Sequence, residues 1–290
     1  MALTVLSADA ARGPVVSLAR EIGAEVAVGF GAPGAIRGKF LAGEPCDLLV
    51  LTHAQVAELL GQGRLAADCC SDLGAARAAI VERGVALAPP RHGKQAPATV
   101  FTAAPGARSS DPDGARDFIA RLTGAACAAS RAAAGFGGVA IRRATGADTA
   151  AARALVHGVL SEYGFTPEPG GVDADLEDLD AAYFARGGSF DAAIDAGGRL
   201  VACCGMKPMD DGRVELRKMY ALKEARGQGL GRRLLDRALA FARARGFRRV
   251  ELETASVLAD AIAFYRKSGF LPRPGKLDTC RCDQAYYLDL

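Results

Sequence analysis

The stretch Arg226-Gly227-Gln228-Gly229-Leu230-Gly231-Arg232 lies between a strand-like run, Val214 to Leu222, and a helix-like run, Leu230 to Ala244. Three glycines at a strand-to-helix junction let the backbone turn tightly and come close to a ligand. The N–H groups of Gln228 to Arg232 then converge where the helix N-terminus carries partial positive charge, which predicts a phosphate or pyrophosphate site. Glycine triplets also serve ordinary left-handed turns, so the flanks decide the reading. Downstream, Leu230, Leu234, Ala238, Phe241 and Ala242 recur at helical spacing and predict a core-facing stripe. Arg232, Arg233, Arg237, Arg243 and Arg245 mostly fall on the other face. Arg232 is near enough to the turn to reach a phosphate, and the others read as solvated surface.

A chain of 290 residues suggests two domains. Half of its residues are hydrophobic, but no run of eighteen apolar residues occurs, and the start shows neither a basic n-region nor a cleavage site. Eight cysteines, some adjacent (Cys69-Cys70, Cys203-Cys204), do not form a disulfide pattern, so reduced thiols in the cytoplasm are expected. A net charge of +3, no tryptophan and few aromatics argue against nucleic acid as partner, and no membrane association is expected.

From the N-terminus, strand and helix patterns alternate. Leu3 to Ser7, Glu25 to Phe30 and Leu48 to Thr52 read as strands; Pro14 to Ile22, Ala35 to Ala42 and Ala54 to Gly61 read as helices. Such alternation predicts a doubly wound α/β lobe on a parallel sheet. The pieces Val5-Leu6-Ser7-Ala8, Phe30-Gly31-Ala32-Pro33-Gly34 and Gly43-Glu44-Pro45-Cys46-Asp47, with Asp111 to Phe136, resemble the type 2 periplasmic binding fold of the molybdate-binding proteins. That resemblance implies oxyanion binding between two lobes. Here Leu73 to Val100 is too short for a second lobe, and Pro33 supplies neither N–H nor hydroxyl. Ser7 reads alternatively as a helix cap, and His53 as a cap or a satisfied loop residue. The lobe, residues 1–137, is therefore expected to be structural or partner-binding. Pro89 to Gln95 reads as an exposed loop, and Gly135 to Gly138 as a hinge.

The second part begins with a strand, Val139 to Arg143, and a helix from Thr149 to Leu160 capped by Asp148. An acidic stretch follows: Glu162, Glu168, Asp173, Asp175, Glu177, Asp178 and Asp180. It reads either as a solvated surface or as a wall attracting a cationic amine. Ala192 to Met206 reads as a hairpin, Asp210-Asp211-Gly212 as a turn, and Arg249 to Thr254 and Gln284 to Leu290 as later strands.

The glycine stretch resembles the R/Q-x-x-G-x-G/A signature of the GNAT superfamily of N-acetyltransferases. Ala261-Ile262-Ala263-Phe264-Tyr265-Arg266-Lys267-Ser268-Gly269-Phe270 is similar to that family's A-x-x-x-Y-x-K-x-G-F segment, in the same order and at the same spacing. The resemblance covers residues 138–290 and implies a mixed, largely antiparallel sheet flanked by helices, with acetyl-CoA as co-substrate and no metal. It assigns the pyrophosphate to Arg226 through Arg232, and the thioester carbonyl and pantetheine to backbone groups near Met219, Tyr220 and Ala221. Tyr265 matches the tyrosine that protonates the coenzyme A thiolate; a tyrosine of ordinary pKa, about 10, can donate at neutral pH. Glu215 sits where some members carry a carboxylate base, or it is an exposed strand residue paired with Arg213 or Arg217. Leu258 replaces a common asparagine, so Thr254 or Ser256 would have to supply that contact.

Near the end, Cys280-Arg281-Cys282 lacks a second pair and is poor evidence for metal. It reads as a loop over the acceptor pocket, where Arg281 and Asp283 could read a zwitterion. The sequence thus points to an acetyltransferase acting on a small-molecule or protein amine, with room for a homodimer. The alternative is a non-catalytic module that senses an acyl-CoA or small ligand.

Overall fold

The computed structural model describes residues 2–23, 26–66, 69–76, 81–82, 85–86, 99–124, 127–275, 277 and 281–290. The loop read at Pro89 to Gln95 and the cysteine Cys280 lie outside them. The chain divides into two compact units, Met1–Arg142 with Asp195–Gly198, and Arg143–Ile194 with Arg199–Leu290.

In the first unit the order is β1 (Leu3–Ala8), α1 (Arg12–Ile22), β2 (Val26–Gly31), α2 (Pro33–Leu41), β3 (Leu48–Thr52), α3 (His53–Gly61), β4 (Ser71–Ala76), a short ribbon β5 (Val81–Glu82) and β6 (Val85–Ala86), β7 (Thr99–Pro105), α4 (Pro112–Thr123), α5 (Ala128–Ala133) and β8 (Phe136–Gly137). The main sheet runs β2-β1-β3-β7-β4-β8. Leu48 and Val50 face the core shared with Val15 and Leu18 of α1 and Phe118 and Leu122 of α4. Leu49 and Leu51, also fully buried, alternate to the opposite face, where α2 and α3 pack. Helices therefore cover both faces, as the unbroken apolar run of β3 requires.

The expectation of a parallel sheet needs correction. Only β2, β1 and β3 are parallel, whereas β7 pairs antiparallel with both β3 and β4, and β8 antiparallel with β4. The helix alternation that forces parallel crossovers stops after α3. Ser7 does not cap a helix either: it is buried inside β1 and donates its Oγ to the Ala8 carbonyl at 3.1 Å.

In the second unit the sheet runs β14-β15-β13-β12-β11-β10-β9. Its elements are β9 (Ala140–Arg143, within which the division falls), α6 (Thr149–Glu162), β10 (Ser189–Ile194), β11 (Leu200–Pro208), β12 (Arg213–Ala221), α7 (Leu230–Ala244), β13 (Arg249–Thr254), α8 (Ala259–Lys267), β14 (Leu271–Pro272) and β15 (Gln284–Asp289). A turn with positive φ at Asp211 (62°) and Gly212 (71°) joins β11 to β12. Leu155, Val156 and Val159 of α6 pack with Tyr183, Phe190 and Cys203 on one face. The stripe of α7, including Leu234, Ala238 and Phe241, is buried where that helix packs on β10, β11 and β12. Two local expectations change. Asp148 accepts from the N–H of Thr145 at 2.8 Å in a capping box rather than capping α6 by its side chain. Arg237 is not solvated: it is buried against Asp191, with two hydrogen bonds of 3.2 Å.

Candidate active site

The site starts from a parting of strands. β12 and β13 pair in parallel over Arg213 to Glu215 and Arg249 to Glu251. Past Glu215 the two strands separate, and the continuation of β13 pairs with β15 alone. β12 also carries a bulge. Cys203 opposes Tyr220 and Gly205 opposes Arg217, so Lys218 and Met219 together face the single residue Cys204. Lys218 adopts φ 51°, a left-handed conformation that costs a non-glycine residue about 1 kcal/mol. Its side chain secures that geometry: Nζ donates to Asp173 Oδ1 at 2.6 Å and to the Val172 carbonyl at 2.9 Å.

The opened gap is a cavity of about 780 Å³. One wall is β12 from Glu215 to Ala221, and the other is Glu253, Thr254 and Ala255 with Leu258, Ala261, Phe264 and Tyr265. Its floor is the glycine turn. Gly227 (φ 75°) and Gly229 (φ 74°) require the left-handed region, and a Cβ built on either meets nothing within 4 Å. α7 begins at Gly229 without any side-chain cap, so the first N–H groups of the helix face an open space. Arg226 fixes the turn from behind: Nε donates to the Ala221 carbonyl at 2.8 Å, and Nη2 reaches Glu162 at 2.7 Å. Open donors at a helix start and an apolar slot beside them fit a phosphate-bearing ligand with a narrow arm.

Of the residues singled out in the sequence, Glu215, Met219, Tyr220, Ala221, Arg226, Gly227, Gly229, Leu230, Gly231, Arg232 and Tyr265 line this one cavity. Gln228 does not line it; its amide turns back to the Glu224 carbonyl at 2.8 Å. Arg232 lines it while holding Asp236 at 2.8 Å. Thr254 lines it, but Ser256 is occupied by Asp283, donating N–H and Oγ at 2.7 and 2.6 Å. Asp283 is thereby also withdrawn from the acceptor pocket, contrary to its reading as a zwitterion contact.

Two groups in the cavity are electrostatically prepared. Burial pushes the Glu215 carboxyl above its ordinary range, opposed by Arg217 Nη1 at 3.2 Å. Burial also raises the Tyr265 hydroxyl well above its usual value, with Cys204 and Tyr220 nearby adding to the rise, so it stays protonated at neutral pH.

In the acidic stretch Glu162, Glu177, Asp178 and Asp180 are exposed, as the solvated reading expects, but Asp173 and Asp175 fit neither reading. Asp173 and Asp175 are buried and already bound to cations from β12. Asp173 holds Lys218 and Arg281, and Asp175 holds Arg217 at 3.0 Å and the Tyr183 hydroxyl at 2.7 Å. Despite burial, the N–H of Glu168 and the Lys218 and Arg281 contacts hold the Asp173 carboxyl below its usual range. These two carboxylates are neutralised within the fold and cannot attract an amine. Sequence reasoning missed the cavity residues Arg217, Lys218 and Glu253. The one local signal was the adjacent pair of charges, Arg217 and Lys218, inside a strand-like run. Among the described residues, no group of three or more His, Cys, Asp or Glu could hold a metal ion, and no helix is long and apolar enough to cross a membrane.

A mixed sheet split beside a glycine-started helix, with a carboxylate and a tyrosine in the split, defines an acyltransferase-type architecture. Residues 156–270 match the model of the acetyltransferase (GNAT) family. The chain is 36% identical over 135 residues to the uncharacterized N-acetyltransferase YjgM of Escherichia coli (strain K12), covering 45% of this chain and 80% of that protein. It is 30% identical over 101 residues to human N-acetyltransferase 8, covering 33% of this chain and 44% of that relative. An acetyltransferase of the GNAT family from Staphylococcus aureus Mu50 superposes with a TM-score of 0.49 at 22% identity, over 52% of this chain and 98% of that one. The chain belongs to the GNAT acetyltransferase family and is an acyltransferase.

Proposed function

We propose that the protein is an acetyl-CoA-dependent N-acetyltransferase that moves the acetyl group directly to a primary amine. The observation that carries this reading is the convergence of the open glycine turn, Glu215 and Tyr265 on one cavity between parted strands. The residues fit the co-substrate. The N–H groups after Gly227 would hold the pyrophosphate, and the apolar slot past Met219 and Leu258 would take the pantetheine arm. Bound acetyl-CoA supplies an activated thioester carbonyl.

The chain's own residues do the rest. Glu215, kept basic by desolvation, accepts a proton from the incoming ammonium and makes the amine nucleophilic. Backbone N–H groups of the bulge at Met219 and Tyr220 orient the thioester carbonyl and stabilise charge developing on its oxygen. Tyr265, protonated throughout the working range, gives its proton to the departing thiolate sulfur. The apolar lining excludes water, which would otherwise compete as acceptor.

The first unit we infer to be a single-lobed relative of oxyanion-binding folds that no longer binds an anion. Pro33, the first residue of α2, has no N–H to donate, Ala32 before it has no hydroxyl, and the Ser7 hydroxyl is already used by the chain. Calorimetry with acetyl-CoA, followed by thiol release across a panel of amines, tests the enzymatic reading. Micromolar binding with amine-dependent thiol release is the expected outcome; absence of acetyl-CoA binding would overturn it.

A further inference from the structure

The acceptor end of the cavity is basic. Arg217, Lys218 and Arg281 all line it, and the carboxylates in closest contact with them are the buried Asp173 and Asp175 and the half-buried Glu215. Asp175 serves Arg217 at 3.0 Å and Lys218 at 3.3 Å. Asp173 is divided between Lys218 at 2.6 Å and Arg281 Nη2 at 2.8 Å. If Glu215 is reserved for the amine, three cations face two aspartates, and one positive charge is left over. It falls to Arg281. That side chain is only 14% exposed, and its remaining carboxylate neighbour, Glu168, is 42% exposed and 4.0 Å away, where water screens it. Its Nη1 is buried with no hydrogen-bond partner among the described residues. A guanidinium with one edge paired and the other buried without a partner is costly to the fold, and a planar anion that reaches the unpaired edge offsets that cost.

We propose that the acceptor carries a carboxylate, or an equally compact anion, near its reacting amine, and that Arg281 receives this group while Glu215 faces the amine. The inference rests on the N-acetyltransferase reading above. The acceptors it selects are amino acids and aminophosphonates, and it disfavours polyamines and amidated peptides, whose extra positive or neutral ends leave Arg281 unmet. The zwitterion is read by Glu215 and Arg281, not by Arg281 and Asp283.

The test uses the full chain with acetyl-CoA and matched acceptors: free amino acids, the corresponding C-terminal amides, aminophosphonates and spermidine. The expected result is a kcat/KM for the best free amino acid about 100-fold above that of its amide, carried mainly by KM. Comparable use of the aminophosphonate assigns the contact to compact anions in general, and its rejection assigns it to carboxylates. Arg281→Gln should collapse the acid-to-amide ratio to near one. Arg281→Lys should restore part of it by charge alone, a rescue that damage to the fold would not allow. A preference for amides or spermidine, an unchanged ratio in Arg281→Gln, or acetyl-CoA binding with no acid acetylated would each overturn the proposal. Failure to bind acetyl-CoA would instead overturn the reading on which it rests.

Discussion

Asp47, buried, and Glu215, half-buried, are carboxylates taken out of bulk water, one in each unit, and the fold uses them in opposite ways. Asp47 is 2% exposed and accepts from Thr4 N–H and Oγ1 at 2.9 and 2.6 Å, Ser109 Oγ at 2.9 Å and Ser110 N–H at 2.7 Å. Burial works to raise its pKa, yet those donors hold the carboxyl well below its usual range. Glu215 has Arg217 as its hydrogen-bond partner, lines a cavity, and is shifted upward. The helix starts repeat the contrast. Thr52 Oγ1 accepts the Gln55 N–H at the start of α3, and Asp111 accepts the Gly114 N–H at 2.9 Å in α4. α7 starts at a bare glycine. Other helices, α2 and α6 among them, also start without a side-chain cap, but the first turn of α7 does so on glycines that line the cavity, and that combination marks a place kept for a ligand.

The largest expected effect closes the open helix start artificially. Gly229→Asp puts a carboxylate where the pyrophosphate should lie and forces a side chain onto φ 74°, so acetyl-CoA binding should become undetectable by calorimetry. Wild-type affinity in this variant would dissolve the distinction between α7 and α3. Next comes Tyr265→Phe, expected to lower turnover by about ten- to a thousandfold with little change in acetyl-CoA affinity. Retained turnover would move the acid role elsewhere.

Glu215→Gln should slow the reaction by about ten- to a hundredfold near neutral pH, where the amine is protonated. The deficit should shrink as pH approaches the amine's own pKa. A pH–rate profile parallel to wild type would mean that the carboxylate only shapes the pocket.

Stability sharpens the contrast further, because the two carboxylates should respond with opposite signs. Asp47, held low, contributes stability that is whole above its unfolded pKa of about 3.9 and is lost as pH falls toward its native value. Asp47→Asn should therefore cost about 2 kcal/mol at neutral pH and show less acid dependence than wild type. Glu215, held high, favours folding below its unfolded pKa of about 4.3, and that benefit disappears as pH rises through its native value. Glu215→Gln should thus raise the melting point at neutral pH by about 2–4 °C while impairing catalysis. Two melting curves of the same sign would contradict the comparison. The smallest expected effect is none: molybdate, tungstate and sulfate should leave the melting of the full chain unchanged, since Ser7 and Pro33 offer no open donor.

The sequence made the local pieces legible. The glycine turn, the α7 stripe and the strand-helix alternation after Leu3 all depend on residues within a few positions of one another. What escaped were features set by distant partners. Within the acidic stretch Asp173 and Asp175 escaped because their cations, Arg217 and Lys218, lie more than 40 residues further on. The antiparallel placement of β7 depends on pairing with β3 and β4 at once, which no local pattern encodes. Asp283 was misplaced for a similar reason, since its partner Ser256 is 27 residues earlier.

Lys218 joins two jobs in one residue. Its backbone makes the bulge that frames the slot beside Met219 and Tyr220, and its side chain ties Asp173, the residue that also steadies Arg281. A lineage or an engineer seeking a new acceptor by altering Asp173 or Lys218 would therefore loosen the shared co-substrate slot in the same step. Retuning should be easier at Arg281 itself, whose backbone takes no part in the bulge, so diversification of acceptor choice is channelled toward the C-terminal loop and away from β12.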